Sequence, residues 1–222
     1  MNAKKREGVR YVTPEGPEAD MQPGSRGRVL RNLLGIAKKT EMDRAEYEAL
    51  LKAQDLFLER IGPETCFTAN LIRDMHRCWL GGIFSWAGEY RTVELQKGSF
   101  RWPPAFRVEQ NMSGFEADVL RRNTPCRAGK LAGVARRIAE VHAELLLIHP
   151  FRDGNGRVAR WLADLMALQA GLPAPQYGFE NKKSGGRNAE YLAAVVRGYG
   201  QDYEPLATFF AEAIAGRMAS PE

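Results

Sequence analysis

Residues 149–160 read HPFRDGNGRVAR and stand out for the chemistry that their side chains and backbone could perform together. Gly154 and Gly156 permit backbone conformations closed to other residues, so a ligand can approach the main chain closely there. Their N–H groups and that of Asn155 lie just before a predicted helix start, where the helix dipole favours an anion. We therefore expect Gly154, Asn155 and Gly156 to form a cradle for phosphate oxygens.

The charged residues around this cradle complete a candidate transfer site. Arg157 and Arg160 are three residues apart and share a face of the first helical turn, a spacing that suits a polyphosphate better than one carboxylate. Asp153 is a hard oxygen ligand of the kind that binds Mg²⁺ together with substrate phosphates. His149 can accept a proton from an incoming hydroxyl at neutral pH. A base, a metal carboxylate and two phosphate clamps predict a phosphoryl- or nucleotidyl-transfer site.

Apolar residues at helical spacing predict the elements that hold this site. Pro150 separates a buried helix ending at Ile148 from a helix running from about Arg157 to Gln169. Helices are also predicted from an N-cap at Thr40 to Ile61, after an N-cap at Thr68, and around residues 106–119, 191–199 and 206–214.

A short β-hairpin is the second kind of element that the sequence predicts. The runs 91–95 and 100–102 are rich in β-formers and flank Lys97-Gly98-Ser99, a turn-like tripeptide. The predicted fold class is therefore mainly α, with six to seven helices and one small β-hairpin.

Composition limits the class of protein. The 222 residues are 44% hydrophobic and 27% charged, as expected for one globular domain. Residues 1–26 are predicted to be a flexible basic arm, and residues 27–222 the domain. No apolar run approaches the roughly 20 residues of a membrane helix. The start of the chain does not resemble a secretory signal, and three scattered cysteines form no disulfide pattern, so we expect a cytoplasmic protein without membrane contact.

The twelve-residue stretch fits the Fic signature, His-x-Phe-x-Asp/Glu-Gly-Asn-Gly-Arg-x-x-Arg, at every specified position, and the chain therefore resembles the Fic (Fic/Doc) family. The resemblance extends over roughly residues 29–216. Residues 31–36 resemble the family's N-terminal segment, residues 84–92 its flap entry, and Pro205-Leu206 its C-terminal end. This resemblance implies an α-helical fold and transfer of AMP from ATP to a protein hydroxyl.

The resemblance also implies a role for each motif residue. His149 would deprotonate the target hydroxyl, and Asp153 would hold Mg²⁺ (or Mn²⁺) between the α- and β-phosphates. The segment Gly154–Gly156 would cradle the phosphates. Arg157 and Arg160 would bind the β/γ end of ATP, and Arg157 would help stabilise the departing pyrophosphate.

The hairpin Thr92–Trp102 would correspond to the family's flap, which clamps a target segment by strand addition. Lys97 resembles the family's flap lysine. Asn188 and Tyr191 are expected on the adenine side from their position alone. The residues expected to contact the target are Thr92, Val93, Lys97, Gly98 and Phe100.

Three functional classes follow, with AMP transfer to a protein favoured. The second class is another Fic/Doc-type transfer, either phosphorylation or transfer of UMP, GMP or phosphocholine. Doc-type kinases depart from the Gly-Asn-Gly core that this chain keeps. The third is a nucleic-acid-binding module, suggested only by the net charge of +5. No recognition-helix or zinc-finger pattern supports it, so a nucleic-acid partner is not expected.

Many Fic proteins restrain themselves with a Ser/Thr-x-x-x-Glu-Gly/Asn helix, whose glutamate pairs with the second motif arginine, here Arg160. Glu15 is preceded at that spacing by Tyr11, and Glu212 has the spacing but is followed by Ala213. We therefore expect restraint from a separate protein, such as the antitoxin of a toxin–antitoxin pair.

The two remaining histidines are expected to be structural or solvated. No partner for His142 is visible in the sequence, and a structural role is predicted. His76 lies beside Arg73 and Arg77 and is predicted on a solvated helix face.

Overall fold

The computed structural model of the chain describes residues 18, 20–179 and 185–219. Within them, an antiparallel hairpin pairs β1 (Gln96–Lys97) with β2 (Phe100–Arg101). None of the described helices is both long and apolar enough to cross a membrane. The mainly α fold with one hairpin is confirmed. The seven helices are α1 (Lys39–Arg60), α2 (Ala69–Leu80), α3 (Val108–Phe115), α4 (Leu131–Ile148), α5 (Asn155–Gln169), α6 (Gly185–Gly198) and α7 (Glu204–Ala219).

Helix α4 is the centre of the domain and packs against α3, α5, α6 and α7. Its apolar residues Val134, Ile138, Val141 and Leu145 recur at helical spacing and are buried, as the sequence pattern predicted. Helices α1 and α2 pack against each other, and α2 also contacts α5. The loop of residues 149–154 joins the buried end of α4 to α5, so both sides of the candidate site are held by packed helices.

The predicted helix starts are correct at one position and wrong at another. The Thr68 hydroxyl oxygen accepts the N–H of Leu71 at 3.0 Å and caps α2. Thr40 lies inside α1, which begins one residue earlier. The N-cap position is Lys38, which makes no side-chain capping hydrogen bond. In the loop before α1, the Asn32 side chain bonds both the N–H and the carbonyl oxygen of Ile36 at 2.9 Å.

The helix predicted around residues 106–119 is irregular. A 3₁₀ turn (Ala105–Arg107) leads into α3, which continues as a π-helical segment (Glu116–Leu120) and a last α-turn (Arg121–Asn123). The carboxylate of Glu116 accepts the N–H of Ala69 at 2.8 Å, so this segment is tied to the start of α2. The spacing of hydrophobic residues in a sequence does not reveal a change from α-helix to π-helix.

The hairpin strands are shorter than the predicted runs 91–95 and 100–102. The Arg91 N–H donates to the carbonyl oxygen of Pro150 at 2.8 Å, so the first run attaches to the motif loop before the strand begins. Val93, Leu95 and Trp102 form a small apolar cluster of their own beneath the hairpin. The flap therefore has a buried base and a short exposed tip.

Part of the predicted arm contacts the domain. Met21 forms a β-bridge with Leu30, and the buried Ser25 hydroxyl donates to the carbonyl oxygen of Val29. The Glu18 carboxylate accepts from both the N–H and the hydroxyl of Thr92. Residues 1–17 and 19 lie outside the described residues, and the predicted boundary between arm and domain stays a prediction.

Candidate active site

The motif loop is held at both ends by unusual backbone conformations. His149 follows α4 with a φ of 53°, and Gly154 precedes α5 with a φ of 82°. Between them, the Asn155 side chain accepts from the Phe151 N–H at 2.9 Å and donates to the Phe151 carbonyl oxygen at 2.7 Å. The buried Asn155 side chain therefore shapes the loop, and only its main chain is placed to contribute to an anion cradle.

The tautomer of His149 follows from its surroundings. Its Nδ1 lies 2.9 Å from the Leu146 carbonyl oxygen, which can only accept, so Nδ1 carries the proton and Nε2 carries the lone pair. The ring is buried and packs against Trp102, with 4.1 Å between ring centroids. The Trp102 indole N–H donates to the same Leu146 carbonyl oxygen at 2.9 Å. This orientation is the one that a histidine base requires.

A buried arginine, Arg91, ties the flap to this histidine. Its guanidinium donates to the carbonyl oxygens of His149 at 2.8 Å, Val93 at 2.9 Å and Pro103 at 2.6 Å. Val93 and Pro103 lie on the two sides of the hairpin, so one side chain joins both arms of the flap to the motif loop. Burial lowers the pKa of Arg91 below its ordinary value. Sequence reasoning placed Arg91 in a β-run and gave it no role.

His76 hydrogen-bonds to the motif loop, and the prediction that it lies on a solvated helix face is wrong. Its Nδ1 accepts the Gly88 N–H at 2.8 Å and its Nε2 donates to the Asp153 carbonyl oxygen at 3.1 Å. The ring stacks on Phe151 with 3.9 Å between centroids. Burial lowers the pKa of His76 to about 4, so the ring is neutral at pH 7. The neighbouring arginines suggested that this face of α2 is exposed to solvent, whereas the flap-entry residues cover it.

Gly154 rests directly on Trp79. A Cβ at Gly154 would lie 2.8 Å from a ring carbon of Trp79, closer than a side chain tolerates. The positive φ already disfavours any other residue there. Glycine at this position thus has two separate structural reasons.

Arg157 lies over the same indole, with its guanidinium carbon 4.4 Å from the Trp79 ring centroid. It forms an ion pair with Glu46 of α1 and lies 3.8 Å from the Asp153 carboxylate. Sequence reasoning missed Glu46. A signal existed, since Glu46 shares the buried stripe of α1 with Met42, Ala53 and Phe57, where a charged residue is unusual.

A cleft of about 230 Å³ opens between α1, residues 21–30 and the motif loop. Its basic side chains outnumber its acidic ones, which favours an anionic ligand. The Arg160 guanidinium lies 5.7 Å from the Phe179 ring centroid. The charged residues that line the cleft are Arg28, Lys39, Arg152, Arg157, Arg160, Asp43, Glu46 and Asp153.

Asp153 lines this cleft, and its Oδ1 accepts the Gly154 N–H at 2.6 Å. Among the residues that the structure describes, no group of three or more His, Cys, Asp and Glu side chains could hold a metal ion by itself. One carboxylate facing a phosphate-sized cleft fits Mg²⁺ or Mn²⁺, because Mg²⁺ takes its other ligands from phosphates and water.

The residues predicted on the adenine side lie away from this cleft. Asn188 is exposed on α6, and Tyr191 is buried, with its hydroxyl 2.7 Å from His142 Nε2. His142 Nδ1 donates to the Ala159 carbonyl oxygen at 3.0 Å, in agreement with a structural role. Adenine contact by Asn188 and Tyr191 stays a prediction.

The flap tip is exposed, and one aromatic residue anchors it. Lys97 and Gly98 stand at the tip, where Gly98 has a φ of 60°. Phe100 stacks on Tyr199 with 5.2 Å between centroids and contacts Trp102 edge-on at 5.1 Å. The tip residues predicted for target contact are therefore accessible.

The flap base is less accessible. Val93 is buried, and its carbonyl oxygen already accepts from Arg91. Thr92 is exposed, but its N–H and hydroxyl point at the Glu18 carboxylate. A target strand that adds at Thr92 would therefore compete with Glu18.

Glu212, the internal candidate for restraint, is engaged elsewhere. Its carboxylate accepts from Arg187 at 2.8 Å on the exposed side of α7. Leu206, Phe209 and Phe210 of the same helix are buried, as predicted for an ordinary core helix. Glu15 lies outside the described residues.

The described helices hold a loop with an oriented histidine, and a basic cleft lies at the Asp153 end of that loop. Comparison with known proteins identifies the family. The Fic/DOC family model matches residues 66–167. "Probable protein adenylyltransferase y4lH" of Sinorhizobium fredii is 28% identical over 201 residues, covering 90% of this chain and 96% of that protein. "Probable protein adenylyltransferase Fic" of Salmonella typhimurium is 30% identical over 163 residues, covering 71% and 76%. This chain belongs to the Fic/DOC family.

A solved structure agrees with the fold. The crystal structure of BepC from Bartonella tribocorum, with bound AMPPNP, superposes with a TM-score of 0.66. The alignment has 19% identity and covers 83% of this chain and 91% of that one. At this identity the likeness establishes the shared fold.

Proposed function

We propose that this chain is a protein adenylyltransferase that transfers AMP from ATP to a Ser, Thr or Tyr hydroxyl of a target protein. The chain is an enzyme of the nucleotidyltransferase class, since it belongs to the Fic/DOC family and its relatives are named protein adenylyltransferases. The observation that carries the proposal is the bond from His149 Nδ1 to the Leu146 carbonyl oxygen. It leaves the basic nitrogen of the ring at Nε2, and the loop that begins at His149 leads to the proposed phosphate cradle at Gly154–Gly156.

In the proposed reaction, His149 Nε2 takes the proton of the target hydroxyl as its oxygen attacks the α-phosphorus of ATP. The bond from the α-phosphorus to the bridging oxygen breaks, and pyrophosphate leaves with the electron pair. The N–H groups of Asn155 and Gly156 and the guanidinium groups of Arg157 and Arg160 would stabilise the phosphate charge. The Gly154 N–H would join them only on leaving the Asp153 carboxylate, to which it donates. Mg²⁺ or Mn²⁺ held by Asp153 would neutralise phosphate charge and orient the oxygens.

The target is proposed to dock on the flap by strand addition. The exposed tip at Lys97, Gly98 and Phe100 supports this role through side chains and main chain. Thr92 and Val93 would contribute through their main chain, since the Val93 side chain is buried. The reaction is proposed to take place in the cytoplasm.

Labelled ATP distinguishes the candidate transfers. With Mg²⁺ and a cell lysate, the wild type is expected to add α-phosphate label to a protein band that stays unlabelled in lysate alone, and to add no γ-label beyond that added by the kinases of the lysate. Labelled UTP and GTP test the other nucleotidyl groups. His149→Asn is the matched variant, because asparagine tolerates a positive φ but supplies no base. Added γ-label beyond that of the lysate kinases, or full activity of His149→Asn, would contradict the proposal.

Restraint by a separate protein, the antitoxin of a toxin–antitoxin pair, is part of the proposal. Arg160 lines the cleft, and a partner's glutamate could replace a phosphate on the same guanidinium. Expression of the wild type alone is expected to slow growth, and His149→Asn should not. Glu212 pairs with Arg187, so Glu212→Gly should leave activity unchanged. A many-fold rise in the activity of Glu212→Gly would show that restraint is internal.

A further inference from the structure

Glu46 on α1 is the one buried carboxylate of the cleft that the proposed reaction does not use. It forms an ion pair with Arg157, the first motif arginine. The Glu46 side chain is 8% exposed and that of Arg157 is 23% exposed. The pair is therefore buried at its Glu46 end, on α1, and more accessible at its Arg157 end, in the cleft. We propose that Glu46 is a positioning residue, which holds the Arg157 guanidinium toward the phosphates beyond the α-phosphate. The inference rests on the proposed function of the same cleft.

Trp79 makes this pair rigid. Its indole N–H donates to the main-chain carbonyl oxygen of Glu46 at 2.8 Å, while the Arg157 guanidinium lies over the ring. One indole thus binds the backbone of Glu46 and the side chain of its partner. Helices α1, α2 and α5 meet at this point, so the direction of the guanidinium depends on the packing of three elements.

Glu46 anchors the Arg157 guanidinium and leaves some of its N–H donors available to a ligand. A guanidinium has five N–H donors in a planar fork, and a single carboxylate oxygen of Glu46 contacts only NH1. NH2 is not in the contact with Glu46 and lies 3.8 Å from the Asp153 carboxylate, which lines the cleft. Phosphate oxygens can therefore reach the guanidinium while the pair with Glu46 stays intact, and the buried carboxylate keeps its ion-pair partner.

Positioning has a distinct signature in nucleotide binding. AMP carries only the α-phosphate, whereas ADP carries the β-phosphate that Arg157 is proposed to bind. A misdirected guanidinium should therefore weaken ADP binding and leave AMP binding unchanged. It should also lower kcat for transfer, because the arginine stabilises the leaving pyrophosphate.

The experiment measures the Kd of ADP and of AMP by calorimetry, together with kcat and KM for ATP. We expect Glu46→Ala to weaken ADP binding about tenfold and to lower kcat by roughly ten- to hundredfold. Glu46→Gln should lose less, because its amide oxygen still accepts from the guanidinium and it keeps the shape of the side chain. Glu48→Ala is the matched control, since Glu48 is exposed on the same helix and pairs only with Arg44 at 3.8 Å.

Three results would overturn the inference. Tighter ADP binding by Glu46→Gln would mean that Glu46 competes with phosphate, and equal losses of AMP and ADP binding would mean general disruption of the cleft. Unchanged ADP binding in both variants would mean that Arg157 needs no anchor. Because binding is measured without transfer, a wild type that binds ADP but transfers no AMP would contradict the proposed function alone.

Discussion

The Nε of Arg91 lies 2.8 Å from the carbonyl oxygen of His149, and the same guanidinium reaches carbonyl oxygens on both sides of the hairpin. The residue proposed as the base and the flap proposed to hold the target are therefore fixed to one side chain. Because the contact is to the main chain of His149, it restrains the position of the ring without using either ring nitrogen. The proposed transfer from ATP to a protein hydroxyl depends on this kind of mutual placement.

Replacing Arg91 by lysine should lower transfer by about ten- to hundredfold, because an ammonium cannot bond the separate carbonyl oxygens in the directions of a planar fork. The measurement is the rate of α-label transfer from ATP, with the free energy of unfolding measured in parallel. Arg107→Lys is the control, since Arg107 is exposed and its side chain donates to Gln110. Equal rates for Arg91→Lys and the wild type would rule out this joining role.

Gly154→Ala should destabilise the protein by about 1–3 kcal/mol and greatly reduce nucleotide binding. The new Cβ would lie 2.8 Å from the Trp79 ring, at a φ of 82°. Gly133→Ala is a matched control, because space is open around its Cβ in α4, and it should stabilise by about 0.5–1 kcal/mol. Urea unfolding and ADP titration measure both effects. Wild-type binding by Gly154→Ala would contradict the proposed close approach of phosphate to the main chain.

Asp153→Ala should lose most transfer activity, with partial recovery in excess Mg²⁺ or Mn²⁺. The carboxylate is one ligand of a site whose other ligands are phosphate oxygens and water, so the ion can still bind weakly through the substrate. The rate of transfer against metal concentration is the measurement. Equal wild-type activity in EDTA and in Mg²⁺ would exclude the metal-dependent mechanism.

The pH dependence of stability should contain a contribution from His142. Burial lowers the pKa of His142 to about 3, from an ordinary value of 6.5. Between these values the unfolded chain binds a proton that the folded protein does not, so stability is full above about pH 6.5 and falls as pH decreases. From pH 7 to pH 5 this loss is about 2 kcal/mol.

His142→Gln should remove that contribution, since glutamine does not titrate. Urea unfolding of both proteins at pH 7 and pH 5 should show the wild type losing about 2 kcal/mol more than the variant. An equal loss in both proteins would mean that His142 is protonated in the folded state.

Local sequence patterns predicted the structural features that depend only on residues close together along the chain. The stripe Val134–Leu145 became the buried face of α4, because helical spacing places its members on one side whatever they pack against. Thr68 became an N-cap, because its hydroxyl needs only the next turn. The motif 149–160 predicted a loop at the start of a helix, and the structure has this loop leading into α5; phosphate binding by the loop stays a prediction.

The sequence by itself thus determined the helical class, the hairpin and the place of the motif loop between two helices. Only the tertiary structure decided which distant groups support that loop. His76 and Glu46 lie on α2 and α1, far from residue 149 in sequence, and both became buried partners of the motif. Arg91 gained its role in the same way. Such pairs depend on how the helices pack. Packing brings together residues that are far apart along the chain, and their contact leaves no periodic pattern in the sequence.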